Sequence, residues 1–172
     1  MSDNEPAQRL WSPWRMEYIE KADDLPGCIF SVKPAEGRDR ENGIVYRGDT
    51  GFIMMNAFPY NTGHLMIAPY KHTADLYELS DEELLETSRL VRYSVKLLTA
   101  AMSPDGFNLG VNLGRPAGAG FADHVHWHVV PRWSGDTSFM PVIGNTKVLP
   151  ESLEATYDRL MRNMEELGGP LG

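Results

Sequence analysis

The sequence predicts an α+β fold, a single antiparallel sheet packed with one long helix and a C-terminal helix. Three observations carry this reading. Short apolar runs broken by turn residues occupy positions 44–68, one long amphipathic stripe follows, and strand-like runs return before a last helical segment. The resulting order, β-β-β-α-β-loop-β-α, lacks the regular strand–helix alternation that builds a doubly wound parallel sheet.

Each element has a local cause. Ile44–Arg47 and Gly51–Asn56 are apolar runs joined by Gly48-Asp49-Thr50, a hairpin signal. After the turn-rich Pro59-Tyr60-Asn61-Thr62-Gly63, a third strand runs from His64 to Ala68 and stops at Pro69. The long helix is expected between Ser80 and Met102. Ser80 and Glu83 form a capping box, and Asp81, Glu82 and Glu83 load the first turn with negative charge. Leu84, Leu90, Val91, Val95, Leu98 and Met102 give its apolar stripe. Pro104 and Gly106 end it. Phe107–Leu113 then reads as a strand, Gly114–Gly120 as a glycine-rich loop, and a further strand is expected from about His124 to Arg132. Residues 151–167 read as helix, closed by Gly168-Gly169-Pro170.

No repeat, low-complexity tract or long linker divides the chain. The expected organisation is an N-terminal arm over 1–43, a central domain over 44–150, and a C-terminal helix and tail over 151–172. The arm is expected to pack Trp11, Trp14 and Tyr18 on the core and to be loop-like from Asp23 to Gly43.

Composition narrows the function. With 172 residues, 42% of them hydrophobic, the chain can bury a core of its own. Its 16 basic and 24 acidic residues give a net charge of -8, which argues against a nucleic-acid partner held by a basic face. A small anionic ligand is still open to it, because backbone N–H groups and a few cations suffice to hold phosphate. No apolar run approaches membrane-spanning length and no secretory leader is read at the N-terminus, so neither a membrane nor export is expected. Cys28 is the single cysteine, which excludes an internal disulfide and fits a reducing, cytoplasmic setting.

Three of the five histidines stand in His124-Val125-His126-Trp127-His128-Val129-Val130. Alternation at this period puts the imidazoles on one strand face, about 6.6–6.8 Å apart, and Val125, Trp127 and Val129 on the other. A histidine-rich but merely solvated face is the bland alternative. A zinc ion held by His124 and His126 is one functional reading. The other is nucleophilic catalysis, with one imidazole attacking and its neighbours orienting it or binding an anion. The segment from Asn112 to Gly120 favours the second. Its small residues let backbone N–H groups approach an anion beside the histidines.

These residues resemble a known family. HVHWHVV fits the H-φ-H-φ-H-φ-φ signature of the histidine triad (HIT) superfamily, nucleotide hydrolases and transferases that act at an α-phosphate. LWSPWRMEYI, NAFPYNTGHLMIAPY and NLGRPAGAGFADHVHWHVVPRWSGDTSFMPVI resemble its diadenosine tetraphosphate phosphorylase or ATP adenylyltransferase branch. The resemblance implies a single HIT-type domain acting on an adenine nucleotide or dinucleoside polyphosphate, and a homodimer. His126 would be the nucleophile that forms a histidine–AMP intermediate, with water or phosphate as acceptor. It places His128 on the phosphate oxygens, the Gly118, Gly120 and Phe121 backbone on transition-state charge, and His124 in an orienting role. Asn56 would contact the ribose, and Asn112 would lie near the phosphate or leaving group. A nucleotide sensor without turnover is the alternative from another class.

Two departures from the family pattern stand out. Gly120 and Phe121 replace the Gln or Ser that many relatives carry before the triad. Relatives often bind structural zinc through C-x-x-C and two histidines; here the segment is Cys28-Ile29-Phe30-Ser31, with His72 and His124 retained. Three of four ligands survive, and a serine hydroxyl is a poor fourth. The other reading makes Cys28 a small buried hydrophobe and His72 a surface residue. The chemistry itself requires no cofactor. Trp127 is expected in the core or an interface, Trp133 in the core, and Lys71, Arg115 and Arg132 are candidate steering cations.

Overall fold

The structure is a computed structural model that describes residues 27–136 and 150–170. Two short helices come first, α1 (Ile29–Ala35) and α2 (Asp39–Asn42). They are followed by β1 (Ile44–Arg47), β2 (Gly51–Met55) and β3 (Leu65–Pro69). The long helix α3 (Asp81–Met102), β4 (Gly106–Val111), β5 (Trp127–Arg132) and α4 (Leu153–Leu167) complete the order. Single 3₁₀ turns lie at Leu76–Glu78 and Arg115–Ala117. Every strand pairing is antiparallel, in the order β1-β2-β3-β5-β4. The expected α+β class and element order are therefore observed; Trp11, Trp14 and Tyr18 of the arm lie outside the described residues.

Local chemistry sets the elements. Gly48 N–H bonds the Gly51 carbonyl at 2.8 Å, closing the expected hairpin. The capping box at α3 is complete: Glu83 N–H donates to Ser80 Oγ, and Ser80 N–H to the Glu83 carboxylate. One face of the sheet packs Ile53, Met55, Leu65, Ile67 and Val129 against Leu90, Leu97 and Leu98 of α3 and Leu160 of α4. The other face carries Phe52, Met54, Met66 and Ala68, covered by Phe30 of α1. That second face holds the histidines.

Two expectations need correction. Positions 29–42 were expected to be loop, from their glycine, proline and charge. They form α1 and α2 instead: burial of Phe30 overrides weak local propensity in α1, and Gly43 at φ 68° caps the single turn of α2. The second concerns the histidine strand. β5 begins at Trp127, so only His128 of the triad lies within the ladder. The cause is Pro69, which by the β3–β5 register would stand opposite Val125. Proline has no N–H to give, so the ladder ends there. Val125 N–H turns instead to the Thr73 carbonyl, at 2.7 Å.

Glu86 ties the hairpin to the helix. Its carboxylate accepts the Asp49 N–H at 2.8 Å, and also the backbone N–H and hydroxyl of Thr50. Glu86→Ala strips acceptors from these partly buried donors and should cost about 2 kcal/mol. A lower chemical-denaturation midpoint at unchanged m-value is the expected result.

Candidate active site

Four buried or half-buried imidazoles and one phenyl ring build the site, with the exposed His72 beside His124. His124 and His126 are 1% and 3% exposed, so the expected open, evenly spaced histidine face is replaced by a buried row. Phe30 stacks on His126 with ring centroids 4.6 Å apart and lies 5.3 Å from His124. His126 meets His128 edge-to-face at 4.9 Å, and His128 meets His64 at 5.1 Å. His126 therefore does make core contacts, which the alternation of the sequence alone did not disclose.

Backbone partners fix where the protons are. His126 Nδ1 is 2.8 Å from its acceptor, the His124 carbonyl. A carbonyl only accepts, so Nδ1 carries the proton and Nε2 keeps a lone pair. Burial lowers the pKa of His126, opposed in part by that hydrogen bond, so the ring is neutral near pH 7. His124 Nε2 lies 2.9 Å from the Pro69 carbonyl, which puts its proton on Nε2 and its lone pair on Nδ1. Burial pushes its pKa down to about 4.

His64 has a role that its sequence context does not signal. Tyr60 N–H donates to His64 Nδ1 at 3.1 Å, so the neutral ring holds its proton on Nε2. Nε2 is 2.9 Å from His128 Nδ1 and donates to it, leaving the His128 proton on its own Nε2. Asn56 supports this end: its Oδ1 accepts Phe58 N–H at 2.9 Å, and its Nδ2 lies 3.3 Å from His64 Nδ1. Gly63 lets the loop press on α3, since a Cβ there would come 2.7 Å from Met102 Sδ.

The remaining expected residues fall into two places. Asn112 and His128 line a groove of about 370 Å³ with Tyr60, Asn61, Asn108 and Arg132. Asn56 lines a different cavity, of about 360 Å³, with Lys33, Gly43 and Tyr157. The 114–120 loop reaches the row through Phe121, whose ring meets Phe30 edge-to-face at 5.8 Å. Gly118 adopts φ 93°, a conformation that any side chain would strain, and its carbonyl lies 3.5 Å from Asn112 Nδ2. Gly118 thus shapes the loop itself, and a valine there would disturb folding as well as any ligand contact. Gly120 lies in the same loop, half-buried. Of the candidate cations, Arg132 is committed to Asp136 at 2.6 Å, and Lys71 donates to the Glu78 carbonyl.

Cys28, His72 and His124 present ligand atoms all within 4.8 Å of one another. His124 Nδ1 is 3.3 Å from Cys28 Sγ and 3.2 Å from His72 Nδ1, and Ser31 Oγ is 3.3 Å from His72 Nδ1. With metal–nitrogen bonds near 2.0–2.1 Å, the edge of a zinc tetrahedron is about 3.3 Å. The donor set and its spacing fit such an ion.

The HIT domain family description matches residues 38–135 of this chain. The chain belongs to the HIT family. This HIT protein is 39% identical over 156 residues to an AP-4-A phosphorylase of Mycobacterium tuberculosis, covering 87% of this chain and 80% of that protein. It is 39% identical over 102 residues to an adenosine 5'-monophosphoramidase of Schizosaccharomyces pombe, covering 59% of this chain and 73% of the relative. Among solved structures, a histidine triad nucleotide-binding protein of Sulfolobus tokodaii aligns with TM-score 0.61 and 27% identity, over 73% of this chain and 85% of that one. A zinc-bound histidine triad family protein of Mycobacterium smegmatis shares the fold at TM-score 0.57 and 21% identity, over 89% and 96% of the two chains.

Phe30 was missed because it stands in a segment read for its cysteine and serine; an aromatic residue between two candidate ligands is its only sequence signal. Phe30→Ala in this HIT protein should cost about 3–5 kcal/mol, as for other buried phenylalanines. Near-UV circular dichroism and a melting curve would register the loss of the ring stack.

Proposed function

We propose that this HIT enzyme cleaves dinucleoside polyphosphates such as diadenosine tetraphosphate at the α-phosphate, through a covalent intermediate on His126. The observation that carries the reading is the hydrogen bond from His126 Nδ1 to the His124 carbonyl, which leaves Nε2 unprotonated in a ring kept neutral by burial. Nε2 attacks phosphorus and the remaining polyphosphate leaves, taking the P–O electron pair. Water or inorganic phosphate then displaces the histidine, giving AMP or ADP. His128, protonated on Nε2 through the His64 relay, donates to phosphate oxygens. The Gly120 and Phe121 backbone stabilises the developing charge, Gly118 shapes that loop with its own N–H on the Arg115 carbonyl at 2.9 Å, Asn112 lies beside the leaving group, and Asn56 serves the ribose. Turnover at His126 also separates this reading from a sensor that only binds nucleotide.

Cys28, His72 and His124, with Ser31 beside them, would hold a structural zinc ion and so pin α1 to the triad segment, outside the reaction itself. The protein is a homodimer, supported by the exposed edge strand β4, where Leu109 is 54% exposed. It works in the cytoplasm, supported by its single cysteine. No described helix is long and apolar enough to cross a membrane.

His126→Ala should lower kcat by at least about 1,000-fold with diadenosine tetraphosphate while substrate affinity changes by less than about tenfold. Rapid quench of labelled substrate with wild type should trap one AMP per active site; retention of substantial kcat in the variant would rule out the covalent route. ADP formed only with added phosphate would identify phosphorolysis.

Because folding depresses the His126 pKa, the acid limb of kcat/KM should have its midpoint below 6.5, leaving activity level through neutrality. Zinc is tested by elemental analysis. Ser31→Cys completes a four-ligand set and should raise both zinc content and melting temperature, and the second gain should vanish with chelator.

A further inference from the structure

A carboxylate outside the histidine row holds the loop that sets the row's protons. Asp136 follows β5, and its side chain is 11% exposed. Its oxygens accept Arg132 Nε at 2.6 Å, an Arg132 terminal nitrogen at 2.8 Å, Trp133 N–H at 3.2 Å and Asn61 Nδ2 at 2.7 Å. Asn61 Nδ2 also donates to the Pro131 carbonyl at 3.1 Å. The remaining Arg132 nitrogen reaches Asn108 Oδ1 of β4 at 2.7 Å. β5 and the 57–63 loop therefore meet on one carboxylate, and Arg132 links it to β4. A charge-assisted, two-oxygen clamp of this kind is stiffer than any single neutral contact in the loop.

The loop continues into the site. Asn61 carbonyl accepts His64 N–H at 3.1 Å, and Tyr60 N–H donates to His64 Nδ1. The Tyr60 ring lies over both imidazoles, 4.6 Å from His64 and 5.9 Å from His128. We propose that Asp136 is a positioning residue for the reaction, acting through Asn61 to keep Tyr60 N–H on His64 and thereby to hold the proton of His128 on Nε2. When the loop slips, His64 Nδ1 loses the shorter of its two donors and keeps only the 3.3 Å contact from Asn56 Nδ2, which lowers the cost of the other tautomer. His64 Nε2 then accepts from His128 Nδ1, and His128 Nε2 becomes a lone pair, which repels a phosphate oxygen instead of bonding it. The effect falls on the transition state more than on substrate binding, because the charge to be met grows as the P–O bond breaks.

The inference rests on the proposed nucleotidyl-transfer reading for its kinetic arm only. In that arm, Asp136→Ala and Asn61→Ala should each lower kcat with diadenosine tetraphosphate about 10- to 100-fold, with KM moved less than about threefold. The double variant should be no worse than the weaker single, since both act on one contact. Asp136→Glu should restore part of the rate, and Asp158→Ala, which removes a surface partner of Arg40, should leave it unchanged. The second arm needs no substrate. Long-range ¹H–¹⁵N spectra of the imidazoles should show His64 and His128 as Nε2–H tautomers in wild type and in Asp136→Glu. In Asp136→Ala and Asn61→Ala they should show mixed or inverted tautomers. Wild-type tautomers in folded Asp136→Ala, or unchanged kcat beside a lowered melting temperature, would overturn the proposal. If wild type fails to turn over any dinucleoside polyphosphate, the functional reading falls, and the imidazole spectra still decide the role of Asp136.

Discussion

The burial of His126 between the Phe30 ring and the carbonyl of His124 is the constraint on which the rest of the site depends. A neutral imidazole can be taken out of water at modest cost if one nitrogen donates to a fixed acceptor. Phe30 supplies the apolar wall and the His124 carbonyl supplies the acceptor. Together they remove the choice of tautomer and the option of protonation at neutral pH. The other side chains follow from that position. α1 exists to bring Phe30 there, Phe121 rests on the same ring, and His124 must curve back to Pro69 to offer its carbonyl.

The imidazoles form two tautomeric systems of opposite sense. His126 holds its proton on Nδ1, while His124, His64 and His128 hold theirs on Nε2. One ring thereby presents a lone pair and its neighbour a donor at the same ring atom, although both are chemically the same residue and their centroids are 4.9 Å apart. Identical side chains divide the labour of a reaction only when second partners differ, and here a carbonyl and an imidazole nitrogen make that difference. The two cavities extend the asymmetry, one reached from Asn56 and one from His128 and Asn112.

Much of this was legible in the sequence. The hairpin at Gly48, the capping box at Ser80, the succession of strands and long helix along the chain and the histidine triad all follow from short-range patterns, and short-range patterns survive folding. The role proposed for His126 comes from resemblance. What the sequence did not disclose depends on partners far along the chain. Phe30 meets residues about ninety positions away, Asn61 meets Asp136, and Glu86 serves a turn that lies before it. Helix formation over 29–42 was masked by glycine and proline content, because no local signal reports that one phenylalanine will be wholly buried. Period-two alternation correctly grouped the three histidines but overstated the length of the strand, since it carries no information about the proline on the neighbouring strand.

That proline has a consequence for how such a site could be transplanted. Pro69 presents a carbonyl without the N–H that a continuing ladder would demand, so sheet and site do not compete for the same atoms. An uninterrupted strand spends each carbonyl on its neighbour, and a histidine carried on it would find no acceptor to choose its tautomer. Copying the three histidines onto a regular sheet would therefore reproduce the spelling of the motif without its proton arrangement. The boundary of the scaffold is drawn by a missing hydrogen atom, and the reactive geometry begins where regular structure runs out.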